Sequence, residues 1–142
     1  MQGIGLVMAY RNRFGEDALQ VARQYWAQVR TMLAENSKPS LNIVGSDASP
    51  VAAALGAFLM RAARIPDLAK VQGDRVLVVG EGFRPAMEAA KMLNAPLDKV
   101  CLNCSLPMFE GIASAINPNV KLEVPQARFK GDKSCKEIFT IP

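Results

Sequence analysis

Two Gly-Asp dipeptides, Gly73-Asp74 and Gly131-Asp132, constrain the fold of this chain more than any other feature of its sequence. Each lies between two short runs of apolar residues, and dipeptides of this kind form the tight turns of β-hairpins. The first turn joins predicted strands over residues 68–72 and 75–79, and the second joins residues 120–124 to residues 138–141. The sequence therefore predicts two antiparallel strand pairs, one in the middle of the chain and one at its end.

Helical periodicity fills the chain before and between these hairpins. A helix over residues 3–36 is predicted to break near Gly15, and further helices are predicted over residues 50–64, 85–93 and 96–116. The first segment carries an apolar stripe that we expect to face the core: Ala18, Val21, Ala22, Tyr25, Val29, Met32 and Leu33. Helices that precede and separate strand pairs indicate an α+β protein, with N-terminal helices packed on an antiparallel sheet made of hairpins.

The length of 142 residues suits one domain, residues 1–142. The net charge of +4 is spread along the chain rather than clustered, which argues against a nucleic-acid groove. No run approaches the ~20 apolar residues of a membrane span, and no secretory signal is visible at the N-terminus. The number of cysteines, three, is odd, and we expect free thiols. With the preceding observations this indicates a cytoplasmic protein without nucleic-acid or membrane partners.

The chain contains no histidine. This excludes Ser-His-Asp and Cys-His catalysis, histidine-ligated haem, and zinc sites that contain histidine. Any proton transfer must therefore use Asp, Glu, Lys, Tyr, Cys or water.

The helix that follows Ser49-Pro50 is rich in alanine and glycine over residues 51–63. Ser49 is predicted to cap this helix and Pro50 to occupy its first position. Small residues allow close packing against another helix in the core, and the alternative is the seam of a homodimer. Core packing is the simpler hypothesis because buried small residues are commonplace.

The segment RVLVVGEGFRPAMEAA, residues 75–90, resembles a nucleotide-binding turn between a strand and a helix. Backbone amides at the helix N-terminus would then hold a phosphate. However, Pro85 stands at the third glycine position of that motif, and no acidic residue ends a second parallel strand about 20 residues later. A turn that needs the backbone freedom of Gly80 and Gly82 is the simpler interpretation.

The three cysteines are candidates for thiol or metal chemistry. Cys101 and Cys104 form a C-x-x-C pair, but the sequence offers no second such pair and no histidine to complete a zinc site. Buried thiols are therefore the simpler interpretation of this pair, with redox activity as the alternative. Cys135 begins the last strand, where packing is expected; with Cys104 and a carboxylate, Glu123 or Asp132, it could instead hold a soft metal.

Two charged residues stand beside apolar helices. Glu110 lies in an apolar helix, and burial would raise the pKa of its carboxyl and make it a candidate base. The alternative is a glutamate that faces solvent. Arg84 directly precedes a helix start and either holds a ligand carboxylate or is an exposed arginine.

Several segments, taken in order, resemble one known family. They are RPAMEAAKML, CLNCSLPMFEGIASAINPNVKLE and FKGDKSCKEIF, within residues 75–141, and more weakly RFGEDALQVARQ near the N-terminus. These segments are similar to the L-2-amino-thiazoline-4-carboxylic acid hydrolase family. That family also looks distantly akin to ligand-binding domains of the 4-vinyl reductase type, an α/β fold that binds small hydrophobic molecules and can carry zinc.

The resemblance implies a hydrolase that acts on a C–N or C–S bond of a small cyclic amidine acid. Water would attack the ring carbon with Glu110 or Glu88 as the base. Arg84 and Met108 would contact the substrate, with Arg84 holding its carboxylate. Cys104 would be a nucleophile or part of the pocket wall.

Two departures from the family pattern alter this expectation. Arg84 stands where the family has a cysteine directly before a proline, and Ala127 stands where the zinc-carrying relatives have a further cysteine. Only Cys104 and Cys135 would remain as zinc ligands, so no cofactor is expected.

A second hypothesis is a catalytically silent domain that binds a small molecule in an apolar pocket between helices and sheet. Arg84 in place of the cysteine, the missing histidine and an interior rich in methionine and alanine favour it. A third hypothesis is a homodimer that pairs through the helix over residues 51–63.

Overall fold

The computed structural model describes residues 2–64, 66–82 and 84–142. In chain order its elements are α1 Gln2–Phe14, α2 Asp17–Ser37, α3 Ala48–Ala63, β1 Ala69–Gln72, β2 Arg75–Gly80, α4 Pro85–Met92, α5 Leu97–Val100, α6 Leu106–Ile116, β3 Lys121–Gln126 and β4 Cys135–Thr140. A π-helical turn, Cys101–Ser105, joins α5 to α6, so that residues 97–116 form one continuous helical rod. A short 3₁₀ turn, Arg128–Lys130, lies between β3 and β4.

The four strands form one antiparallel sheet in the order β1-β2-β4-β3. Each Gly-Asp dipeptide lies between the strands of one hairpin, and pairing of β2 with β4 joins the two hairpins. The helices α4 to α6 lie between the strand pairs along the chain. The predicted α+β class is therefore confirmed, and the last strand begins at Cys135 as predicted.

Two separate hydrophobic clusters form the interior. The main core packs α3 and α6 on the inner face of the sheet, and its fully buried members include Val51, Leu55, Val76 and Phe139. The second core lies beneath α1, where Ile4, Met8 and Leu19 pack against Ala89, Ala90 and Val100. The face of α3 that holds Val51 and Leu55 is thus used for core packing.

The helices α2 and α6 approach closely at a glycine. A Cβ atom added at Gly111 would collide with the carbonyl oxygen of Ala27, so only glycine fits there without moving a backbone. The hydroxyl of Thr31 lies 3.0 Å from the carbonyl oxygen of Gly111 and 2.9 Å from that of Ala27. Small side chains and one hydroxyl, rather than large apolar groups, therefore make this contact.

This close contact explains why the predicted apolar stripe of α2 is wrong in part. Ala22 is buried, but Val21, Tyr25, Met32 and Leu33 are all exposed. The periodicity marks an apolar face of α2, yet the face that packs on α6 is the small-residue face with Ala27 and Thr31. The larger side chains lie outside this contact.

Smaller differences concern element ends. α3 begins at Ala48 with Asp47 at its N-cap, so Ser49 is not the cap. The apolar run over residues 41–44 predicts a strand or a buried turn, but residues 41 and 42 end a turn, and Leu41 and Val44 are exposed. Helical periodicity predicts that Met87, Ala90, Met92 and Leu93 face inward; Met87 and Ala90 are buried, whereas Met92 and Leu93 are exposed. The sequence also predicts an interruption near Pro107, but the rod is helical through this residue.

Candidate functional site

A cavity of about 310 Å³ lies between the two hydrophobic clusters. Most of its lining is apolar and comes from both clusters, including Ile4 and Ala86 from one side and Phe58, Leu59 and Phe109 from the other. Its polar groups come from four places: Trp26 and Arg30 on α2, Arg84 before α4, Ser105 in the π-helical turn and Glu137 on β4. The volume is at the lower end of the range of small-molecule sites, and the mixture of an apolar wall with few polar groups is typical of them.

A buried ion pair lies in the wall of this cavity. Arg84 donates two hydrogen bonds to Glu137, from Nη1 to Oε1 at 3.3 Å and from Nη2 to Oε2 at 3.4 Å. The two side chains are only 12% and 4% exposed. Burial raises the pKa of the Glu137 carboxyl, and the Arg84 charge opposes this rise without cancelling it.

Local sequence explains how these two residues meet. β2 ends at Gly80, and Arg84 is extended before Pro85, which occupies the first turn of α4. A Cβ atom at Gly80 would overlap the guanidinium of Arg84, so the glycine leaves the space that the arginine fills. On the neighbouring strand, Glu137 shares the inward face of β4 with Cys135 and Phe139.

Arg128 fixes the loop that carries this arginine. Its Nη1 donates to the carbonyl oxygen of Gly82 at 2.9 Å, and its Nη2 donates to that of Gly80 at 3.4 Å. Its backbone N–H also donates to the sulfur of Cys135 at 3.4 Å. The glycine turn that resembled a nucleotide-binding loop is therefore held by an arginine side chain of the same molecule.

Three residues of the cavity wall carry a buried polar atom without a hydrogen-bond partner among the described residues: Trp26 Nε1, Arg30 Nε and Ser105 Oγ. The indole N–H of Trp26 approaches the sulfur of Cys104 but falls outside hydrogen-bond geometry, and sulfur is a weak acceptor in any case. A buried polar group left without a partner costs about 1–3 kcal/mol. All three atoms are shielded from the cavity as well as from solvent.

Arg30 brings an uncompensated positive charge to the cavity. Its Cζ lies 4.8 Å from the ring centroid of Phe58, and no carboxylate in residues 2–64, 66–82 or 84–142 lies within ion-pair distance of it. Burial lowers the pKa of Arg30, although the group stays charged at neutral pH because a guanidinium is so basic. Arg30 and Arg84 together exceed Glu137 by one positive charge.

The thiols of Cys101 and Cys104 are protonated at neutral pH. Burial raises the pKa of Cys101 to about 12, with smaller contributions from Cys135 and Glu137. Burial likewise raises the pKa of Cys104 to about 11. Because the thiolate is the nucleophile, these two groups are poorly suited to attack a substrate.

The structure brings together only some of the residues that the sequence singled out. Arg84, Met108 and Cys135 line the cavity. Cys104 is fully buried behind the wall and is not part of the lining.

The two glutamates singled out as bases lie at the surface. Glu110 is 41% exposed and lies 3.6 Å from Arg23, and Glu88 is 41% exposed and lies 3.0 Å from Lys91. Neither glutamate lines the cavity, because each projects from its helix away from the hollow.

Sequence reasoning missed Glu137, Arg30, Trp26 and Ser105. The signal for Glu137 was the alternation of Cys135, Glu137 and Phe139 on one face of a strand. Nothing in the sequence distinguished the other three from ordinary helix residues.

The residues present do not fit a zinc site. In the part of the chain that the structure describes, no group of three or more Cys, Asp or Glu side chains is placed to hold a metal ion. The two candidate ligands, Cys104 and Cys135, fall short of the four that structural zinc requires.

None of the described helices combines the length and the apolar character needed to cross a bilayer. No family model matches the chain, and no curated protein sequence matches it significantly. Functional inference therefore depends on the geometry of the cavity.

Proposed function

We propose that this chain is a binding domain for a compact, mostly apolar molecule that carries one carboxylate. The observation that carries the proposal is the guanidinium of Arg30 in the mostly apolar wall of the 310 Å³ cavity, which has no carboxylate partner in the part of the chain that the structure describes. A carboxylate accepts hydrogen bonds at both oxygens and would pair with this guanidinium.

The cavity also sets the size of the ligand. At roughly 30 Å³ for each water-sized group, a volume of 310 Å³ holds about ten non-hydrogen atoms. The apolar wall, with Ile4, Leu59 and Phe109, favours a ring or a short chain for the rest of the molecule. Cinnamate has this size and chemistry and is a suitable probe.

The direct test compares cinnamate with cinnamamide and cinnamyl alcohol, which keep the apolar part and remove the charge. We expect the acid to raise the melting temperature and to bind in calorimetry, because a ligand specific for the folded state stabilises it. We expect the amide and the alcohol to bind at least about tenfold more weakly, since a lost charge-assisted hydrogen bond is worth about 1.5–3 kcal/mol.

Arg30→Gln and Arg23→Gln are the matched variants for this test. Both positions are on α2, but Arg23 pairs with Glu110 at the surface and does not line the cavity. Arg30→Gln should abolish the preference for the acid, and Arg23→Gln should keep it. Equal binding of acid and amide by the unmodified protein would contradict the proposal.

A second candidate function is hydrolysis of a small cyclic amidine acid, as the resemblance to the thiazoline hydrolases implies. The observation that favours it is Glu137, a carboxylate with a raised pKa in a mostly apolar cavity. Glu137, rather than Glu110 or Glu88, would take a proton from the water that attacks the ring carbon. Arg84 is held by Glu137 on one side and could meet the substrate carboxylate on the other.

This candidate is tested by incubating the protein with L-2-amino-thiazoline-4-carboxylate and following the ring-opened product by mass spectrometry. Turnover that is lost in Glu137→Gln and kept in Glu88→Gln would support it. Absence of turnover in the unmodified protein would leave binding without catalysis as the function.

A further inference from the structure

A second apolar feature lies on the outside of the molecule, where α1 and α2 run side by side. Leu6, Tyr10 and Phe14 on α1 and Val21 and Tyr25 on α2 line one groove of about 670 Å³. Each of the five side chains is 51–67% exposed. We call this surface the α1–α2 face.

The spacing of the residues explains why the face is continuous. Leu6, Tyr10 and Phe14 follow one another at every fourth position and therefore share one side of α1, whereas Ile4 and Met8 turn inward to the second core. Gly15 ends α1 with a positive φ, and α2 returns so that Trp26 packs beside Gly3. The apolar stripe of α1 thus lies next to Val21 and Tyr25 of α2.

The exposed area is at the upper end of what a monomer usually shows. A large apolar side chain offers about 150–250 Å², so five that are more than half exposed leave roughly 600 Å². Typical monomeric proteins have a largest apolar patch of about 300–600 Å², and a stable interface buries about 800 Å² on each partner. Met32, two turns beyond Tyr25 and 52% exposed, extends the stripe towards that second value.

We propose that the α1–α2 face pairs with the same face of a second copy of this chain. A twofold arrangement would place the two helical hairpins against each other as a four-helix layer and would bury the aromatic side chains of both copies. Tyrosine and phenylalanine are enriched at the centres of such interfaces, which fits Tyr10, Phe14 and Tyr25.

The charges at the edge of the face favour a protein partner over an anionic membrane. Asp17 lies in the groove lining, and the guanidinium of Arg13 lies 5.4 Å from the ring centroid of Phe14 at the same end. The Arg11–Glu16 pair is close by, with 2.7 Å between Nε and Oε1. A rim of both signs is complementary to its own copy, whereas a surface that binds anionic lipid carries mainly Lys and Arg.

The first measurement is the mass of the unmodified 142-residue chain by light scattering, from micromolar to near-millimolar concentration. We expect a mass that rises to twice the 15.4 kDa of one chain. Phe14→Glu and Val21→Glu should each weaken the dimer by about 30-fold or more, because they place a charge at the centre of an apolar contact. Helical circular dichroism should be unchanged, since both side chains are exposed in the single chain.

Met92→Glu is the matched control, because Met92 is 72% exposed but lies on α4 and outside the groove. A second readout is cross-linking with a bismaleimide. We expect the Val21→Cys variant to be cross-linked into dimers and the Met92→Cys variant not to be. A monomer at every concentration would overturn the proposal, and flotation of that monomer with phosphatidylglycerol vesicles would assign the face to membranes. Dissociation by Met92→Glu but not by Val21→Glu would also overturn it.

Discussion

Arg84 and Glu137 meet across two neighbouring elements, with both guanidinium Nη atoms 3.3–3.4 Å from the carboxylate oxygens and almost no contact with solvent. The pair stands where β2 passes into α4, and together with Arg30 it supplies the charged groups of the cavity wall. Each charge makes the burial of the other tolerable, because an isolated ion in such a place is strongly disfavoured.

Removal of the arginine should be costly. In Arg84→Gln the carboxylate of Glu137 stays buried without its counter-ion, and loss of one partner of a buried pair costs about 3–5 kcal/mol. We expect a loss of this size in the free energy of unfolding at pH 7, measured by urea denaturation. The loss should shrink in acid, where Glu137 takes up a proton.

The control for this variant is Arg23→Gln, which removes the partner of Glu110 at the surface. Exposed pairs contribute about 0–1 kcal/mol, so this change should be nearly neutral. Equal losses of unfolding free energy in the two variants would show that the buried Arg84–Glu137 pair contributes no more to stability than an exposed pair.

The raised pKa of Glu137 predicts the direction of pH dependence. A carboxyl with a higher pKa in the folded than in the unfolded chain binds its proton more tightly when folded. Its contribution is therefore fully present below the ordinary value of 4.5 and is lost as the pH rises through the folded value. We expect the unfolding free energy of the unmodified protein, relative to Glu137→Gln, to fall as the pH rises above 4.5.

This comparison is made by urea denaturation of the two proteins across a series of pH values. Glu137→Gln removes the titrating group and keeps the shape, so other carboxyls cancel in the difference. A difference that grows in favour of the unmodified protein with rising pH would mean that Arg84 outweighs burial.

Two glycine-to-alanine substitutions should act in opposite directions. Gly111→Ala would drive a methyl group into the carbonyl oxygen of Ala27 and should destabilise the protein by about 1–3 kcal/mol. Gly56→Ala, in the middle of α3 with no heavy atom within 4 Å of the new Cβ, should stabilise it by about 0.5–1 kcal/mol. Thermal unfolding of both variants tests the prediction, and a stabilising Gly111→Ala would refute the close approach of α2 and α6.

The thiols should be slow to react while the protein is folded. Since burial raises the pKa of Cys101 and Cys104 to about 12 and about 11, little thiolate forms at pH 8. We expect iodoacetamide to modify both residues rapidly in urea and slowly without it, with the sites located by mass spectrometry. An added surface thiol, Met92→Cys, should react at the same rate in both conditions. Fast modification of native Cys101 would count against this prediction.

The hairpins were predictable because neighbouring residues determine each turn, as Gly73-Asp74 and Gly131-Asp132 show. The ion pair was only half predictable. Arg84 was recognised before a helix start, but the two faces of β4 each carry one charged residue, Lys136 or Glu137. Cys135 and Phe139 share a face with Glu137, but Ile138 makes the other face partly apolar too, and the pairing of β4 with β2, which sets Glu137 opposite Val78, fixes which face turns inward.

Periodicity did not predict which side of α2 packs against α6. The largest apolar side chains define its apolar stripe, and the usual expectation is that they are buried. The contact with α6 is made instead by Ala27 and Thr31, because Gly111 lets the two backbones come close. Such a choice depends on a residue 80 positions away in the chain.

The helical rod of residues 97–116 runs from one hydrophobic cluster to the other: Val100 is packed in the second core, Cys101 and Ser105 border the hollow, and Ile112 is packed in the main core. Side chains that face a hollow forgo dispersion contacts that a filled interior would supply. Larger side chains along this rod would fill the cavity, join the two hydrophobic clusters into one core and raise the stability of the fold. The cavity between the two hydrophobic clusters is therefore a place where the fold has lower stability than a filled interior would give, and where space is kept for a ligand.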